Sequence, residues 1–183
     1  MTLYRVGSIR VKDRRELCLI KNISSGGMMV RVYSSLAEGA ELSIELKSGQ
    51  PIAGQVSWVR DLHAGISFVQ PIDVIELLSA TMKGPKPRMP RIEVETFATL
   101  RNGANLLRAR ACDISQGGIK FECEALLSIG TEVVVTLPCL PPQPAVVRWH
   151  EGHFTGVTFN RLLPLGELVT WLQAQRELQR AAG

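Results

Sequence analysis

One short polar motif is written twice in this chain. NISSGG at residues 22–27 returns as DISQGG at residues 113–118, 91 positions later. The match continues without a gap, from residues 22–68 onto residues 113–159. Leu36 falls on Leu127, Gly39 on Gly130, Glu41 on Glu132 and Leu46 on Leu137. Val56 falls on Val147, Trp58 on Trp149, Gly65 on Gly156 and Phe68 on Phe159. Tryptophan occurs only three times in 183 residues, so a matched Trp pair argues against chance more strongly than matched leucines do. A period of 91 residues is too long for a solenoid and suits a domain, so each copy is expected to close its own core. The 45% hydrophobic content can fill two modest cores.

Periodicity assigns both copies to antiparallel sheet. ELCLIKNI, MMVRVYSS, ELSIELKS, PIAGQVSWVR and AGISFV in the first copy read as short strands. LLRARACDI, GIKFECEA, TEVVVTLPCL, PAVVRWHE and TGVTFN do the same in the second. In IKFECEA, Ile119, Phe121, Cys123 and Ala125 alternate with Lys120, Glu122 and Glu124, the pattern of a half-buried strand. Five or six strands per copy, broken by Gly, Pro, Ser and Asn turns, predict a small barrel or sandwich. A helix is expected after each: residues 71–82, with Val74, Leu77, Leu78 and Met82 on one side, and residues 163–182, with Leu165, Leu168, Trp171 and Leu172.

Much of this points away from catalysis. There is no GxxxxGK[ST], HExxH or GxSxG stretch, and the chain reads as a non-enzyme. His150 and His153 have no cysteine or carboxylate cluster to complete a metal site, so no metal and no cofactor are expected. Trp58 and Trp149 read as barrel-packing residues. Cys18, Cys112, Cys123 and Cys139 are widely spaced and read as reduced and buried, which suits a cytoplasmic protein. No apolar run reaches the roughly 20 residues of a membrane span, and no secretory signal is apparent. The net charge of +4 favours an anionic partner mildly, with much of the excess near residues 5–15, 83–91 and 174–180. The basic residues lie on arms and tails with few aromatics, so DNA or RNA is not the expected partner.

The repeated turn can bind something. Asp or Asn followed by x-Ser-x-x-Gly gathers hydrogen-bonding groups in a small space, and glycines in left-handed conformation would aim successive N–H groups at an anion. DISQGG, with Arg91 upstream and RWHEGHFTGVTF downstream, resembles a PilZ domain, the bacterial receptor module for cyclic di-GMP; NISSGG with SWVRDLHAGISF is similar in the same way. The resemblance implies two tandem six-stranded antiparallel β-barrels, each followed by a helix, and an arginine arm that grips guanine edges and phosphates. The Asp and Ser of the turn would hold another guanine.

Residue by residue, it implies a cyclic di-GMP site in the second copy made by Arg91, Arg88, Asp113, Ser115, Gly117 and Gly118, with Lys86 as a supporting charge. Pro87 stands where the family places the arm's first arginine, and Arg88 and Lys86 flank that slot. In the first copy Arg5, Asn22, Ser24 and Gly27 would form a vestigial site, with Arg5 at the strand start and no arginine ahead of it. The expected organisation is a PilZ-like domain over 1–82, a basic proline-rich linker and arm over 83–90, and a PilZ domain over 91–183. Nucleotide bound to the second domain would order the linker, change the interdomain geometry and present a surface to a protein partner in motility or exopolysaccharide control. The competing expectation is a PilZ interaction module that has lost its nucleotide.

Overall fold

The computed structural model describes residues 1–46, 50–83, 89–123 and 127–182, the side chains at 80–83 and 182 excepted. It divides into two compact units, Met1–Pro90 and Arg91–Gly183. In the first, β1 (Thr2–Val11), β2 (Arg14–Ile23), β3 (Gly27–Arg31), β4 (Glu41–Glu45), β5 (Pro51–Arg60) and β6 (His63–Phe68) precede α1 (Val74–Lys83). The second repeats the order with β7 (Ile92–Asn102), β8 (Asn105–Ser115), β9 (Gly118–Glu122), β10 (Glu132–Thr136), β11 (Gln143–Glu151), β12 (Phe154–Phe159) and α2 (Leu165–Ala182).

Each set closes into a six-stranded antiparallel barrel. The circuits are β1-β2-β3-β6-β5-β4 and β7-β8-β9-β12-β11-β10, sealed by β1–β4 and β7–β10 pairing. Closure leaves no edge strand to protect. Inside the first barrel Ile20, Val30, Ile44 and Ala64 are fully buried; inside the second, Ile114, Ile119, Phe121 and Val147 are. Each large aliphatic side chain among them contributes about 1.5–3 kcal/mol by leaving water.

Both helices begin later than the periodicity predicts, for a shared reason. Ile72 N donates to Ser25 O at 2.9 Å and Leu163 N donates to Gln116 O at 2.8 Å. These bonds pin the chain ahead of each helix to the middle of the polar turn, so it cannot yet coil. Asp73 then caps α1, its Oδ1 accepting from Glu76 N at 2.9 Å. Val74, Leu77 and Leu78 pack against the first core. In α2, Leu168, Val169, Trp171 and Leu172 are buried, and Trp171 Nε1 donates to Pro138 O at 2.7 Å.

The cysteines depart from the sequence expectation. All four are free, but only Cys18 and Cys123 are buried; Cys112 is half-buried and Cys139 is exposed. Cys139 sits on the tight β10–β11 connection at φ 61°, where no core reaches it. Among the described residues, no helix is long and apolar enough to cross a membrane.

Candidate functional site

The site residues reach the outer wall of the second barrel through irregularities in the sheet. Strand β8 alternates inward at Ala109 and Ala111, and strict alternation would carry Asp113 into the core. A register shift between Ala111 and Asp113 inserts Cys112 and turns Asp113 outward, while Ile114 returns inside. A second shift, between Val147 and Trp149 on β11, does the same for Trp149. Pairing then lines up Asp113 with Lys120, Lys120 with Gly156, and Gly156 with Trp149. The row crosses four strands, spanning roughly 14 Å at about 4.8 Å per strand.

Asp113 is the electrostatic centre of this row. Arg91 Nη1 donates to its Oδ1 at 2.8 Å, and Lys120 Nζ stands 3.4 Å from its Oδ2. One carboxylate thus faces two cations, with the Asp113 side chain only 15% exposed. The Phe154 ring lies 4.9 Å from Lys120 Nζ and steadies it by cation–π attraction. At the far end Trp149 lies over Gly156, where a Cβ would come within 2.0 Å of the indole Nε1. The tryptophan therefore packs against the outside of the barrel wall, half-buried.

The turn itself is tightly committed to structure. Ser115 is buried and its hydroxyl donates to Gly118 O at 3.2 Å. Gly118 is not left-handed: the left-handed glycines among the described residues are Gly39, Gly103, Gly130 and Gly152. It is a glycine because a Cβ there would meet Val157 O at 2.2 Å, where β9 crowds β12. The anion-cradling conformation expected of it is absent. Gly117 O accepts from Phe159 N at 3.0 Å, and Gln116 Nε2 donates to Leu163 O at 2.9 Å, so the turn is stitched to the segment leading into α2.

The first barrel has the same scaffold with the charges removed. Asn22, Met29, Gly65 and Trp58 occupy the matching row, and Asn22 Oδ1 accepts from Met29 N at 3.1 Å. Ser24 Oγ donates to Gly27 O at 3.1 Å, as Ser115 does to Gly118. A shallow cavity of about 340 Å³ lies over Asn22, Ser24, Gly27, Met29 and Trp58. Arg5 does not join them. Ile23 N donates to Met1 O at 3.0 Å, placing Met1 opposite Ile23 just as Ile92 lies opposite Ile114. Arg5 instead pairs with Ile20, deeper in β1, past a register shift between Thr2 and Arg5. Arg5 thus matches Thr96 and not Arg91, which agrees with the stretch from Arg5 to Asn22 being five residues shorter than that from Arg91 to Asp113.

Lys86 and Arg88 lie outside the described residues, as do Glu124 and Ala125. Lys120 is the functional candidate the sequence reading passed over: IKFECEA shows only a solvated lysine, and the counterpart Met29 was its one available signal. Among the described residues no group of three or more His, Cys, Asp or Glu could hold a metal. His150 is otherwise engaged, with Nδ1 2.9 Å from Thr155 Oγ1 and Nε2 on the Leu127 carbonyl.

The family description of the PilZ domain matches residues 2–81 and again residues 85–173. The chain belongs to the PilZ family. PilZ proteins are cyclic di-GMP receptors and adaptors and not enzymes. Solved structures similar to this tandem PilZ chain include Borreliella burgdorferi PlzA in complex with c-di-GMP, at 10% identity, covering 92% of this chain and 86% of that one, with a TM-score of 0.41. Escherichia coli YcgR in complex with c-di-GMP is 16% identical, covers 97% and 86%, and has a TM-score of 0.38. The Bacillus subtilis inhibitor of motility MotI is 13% identical, covers 98% and 99%, and also has a TM-score of 0.38. No curated protein matches the chain.

Proposed function

We propose that this protein is a cyclic di-GMP receptor whose second PilZ barrel holds the nucleotide while the first contributes structure. The observation that carries this reading is the Arg91–Asp113–Lys120 cluster on the outer row, replaced in the first barrel by Asn22 and Met29. A guanidinium fork bonds guanine O6 and N7, or two phosphate oxygens, as a pair. Asp113 accepts from guanine N–H donors once Arg91 turns toward the ligand, and Lys120 keeps its charge balanced meanwhile. Lys86 and Arg88 stand five and three residues before Arg91 and add cations for the phosphates. Ser115, Gly117 and Gly118 hold the turn in shape.

On this reading the arm, residues 83–90, is also the link between domains 1–82 and 91–183. Nucleotide held between arm and turn fixes that backbone, at about 1–2 kcal/mol per residue, less where Pro85, Pro87 and Pro90 already restrict it. Ordering the arm changes the interdomain geometry and offers a new surface to a protein partner, with motility or exopolysaccharide machinery the family-level expectation.

A second reading, a PilZ interaction module without nucleotide, is favoured by one feature: Pro87 in the slot of the arm's first arginine. Titration calorimetry of the full chain with cyclic di-GMP separates the two. Micromolar or tighter binding is expected, and Arg91→Ala should weaken it by roughly 10- to 150-fold, the worth of a charge-assisted hydrogen bond. No heat at about millimolar ligand, or an Arg91→Ala variant that binds like wild type, overturns the receptor reading. Small-angle scattering with and without ligand then tests the change in geometry.

A further inference from the structure

The second barrel also carries a basic, partly apolar face that the nucleotide reading does not use. It is the outer side of the β7–β8 hairpin. Residues 99–110 contain three arginines and no Asp or Glu. Cross-strand pairing sets Leu106 beside Arg101, Arg108 beside Thr99 and Arg110 beside Phe97, and directly paired residues share a face. Leu106 is 69% exposed and Phe97 is 51% exposed, while their neighbours Leu100, Ala98 and Ala109 fill the core. From Leu106 to Arg110 the face runs about 13 Å at roughly 3.3 Å per residue. Beside it, β10 pairs Val134 with Arg101 and Thr136 with Thr99, and its outward Glu132 brings one negative charge at the hairpin-tip end.

Its charges are largely unspent. Arg110 is bound to Glu122, and Glu95 stands near it at the same end. Arg101 and Arg108 have no ion-pair partner among the described residues. The matching hairpin of the first barrel commits two of its arginines to carboxylates. There Arg14 pairs with Glu16 and Arg15 with Glu45. Arg10 of that hairpin has no ion pair among the described residues either, but it lies across from Arg15, whereas Arg101 lies across from Leu106 and Arg108 over Phe97.

We propose that this face docks peripherally on an anionic phospholipid surface. Arg101 and Arg108 meet headgroup phosphates, and Leu106 and Phe97 enter the boundary between headgroups and acyl chains. A single nucleic-acid strand fits less well, because Arg108 already lies over one face of the Phe97 ring at 4.0 Å and competes there with a base. An aliphatic Leu106 gains nothing from a phosphodiester, whereas a lipid boundary accepts it.

Vesicle co-sedimentation of the full chain tests this. Phosphatidylcholine vesicles containing phosphatidylglycerol should bind the protein, pure phosphatidylcholine vesicles should not, and added salt should release it. Each arginine near such a surface contributes about fivefold in affinity, so Arg101→Ala with Arg108→Ala should lose roughly twenty- to thirtyfold. Leu106→Asn should weaken binding at unchanged charge, and Leu106→Trp should strengthen it. All these positions are exposed, so matching thermal melts should accompany them. Equal binding to neutral and anionic vesicles, or anionic binding untouched by the double variant, overturns the proposal. So does tighter binding to a thymidine oligonucleotide than to the anionic vesicles, which assigns the face to nucleic acid instead.

Discussion

The two glycines of the first motif should behave oppositely when replaced by alanine. A Cβ on Gly27 would stand 2.4 Å from Ile66 O, whereas ordinary contact begins at 3.4 Å, so β3 and β6 must part by about 1 Å. That gap opens beside the Gly27–Ser67 and Met28–Ile66 pairs. Overpacking of this kind costs about 1–3 kcal/mol, and a lost ladder hydrogen bond about 1 more. Gly27→Ala should therefore destabilise the first barrel by roughly 2–4 kcal/mol, lowering its melting temperature by roughly 10–30 °C for a domain of this size. Gly26 has nothing within 4 Å of its Cβ position, and its φ is not left-handed. Gly26→Ala should stay within about 1 kcal/mol of wild type, leaning toward stabilisation through the unfolded chain. Differential scanning calorimetry of the full protein reads both. A Gly27→Ala transition within about 2 °C of wild type, or equal losses at both positions, refutes the crowding argument.

Gly156→Ala should expel Trp149 from its seat, seen as red-shifted, more quenchable tryptophan emission; an unchanged spectrum contradicts the 2.0 Å overlap. Arg5→Ala and Asn22→Ala should each leave cyclic di-GMP affinity within about 1 kcal/mol, and a tenfold loss in either would bring the first barrel into the site. Burial pushes the Cys18 thiol up to about 12. A thiol reagent at mildly alkaline pH should therefore label exposed Cys139 rapidly and leave Cys18 untouched until unfolding. The same shift has a sign for stability. The unfolded Cys18 thiol ionises from its ordinary value of 9.0 upward while the folded one holds its proton to about 12, so the first barrel loses stability as pH rises through that window. A Cys18→Ala variant should show a flatter decline in alkaline melts.

The duplication was legible because it is written in residue identity: Trp58 with Trp149 and Gly65 with Gly156 name the same seat twice. Alternation gave the strands, since a half-buried wall imposes a period of two. What alternation hides is its own interruption. The inserted Cys112 decides that Asp113 faces outward, and strand pairing decides that Arg5 matches Thr96 and not Arg91. Neither leaves a mark in composition. Lys120 was invisible for another reason: its meaning comes from Asp113 and Phe154, which reach it from neighbouring strands. Of the motif glycines, Gly27 and Gly118 are required by crowding and not by the backbone handedness expected of them.

The stitching of the polar turn has a consequence for how such domains diverge. In both copies the turn's carbonyls receive the last strand and the segment before the helix: Ser25 and Gly26 in one, Gln116 and Gly117 in the other. A barrel that abandoned this turn would lose its joint to the helix, whatever it bound. The hexapeptide is thus a keystone before it is anything else. A descendant copy can surrender its arginine and its lysine without penalty to the masonry, but never its glycine. The two copies therefore carry nearly the same signature, and a further difference in charge is read one strand away, at Lys120 against Met29.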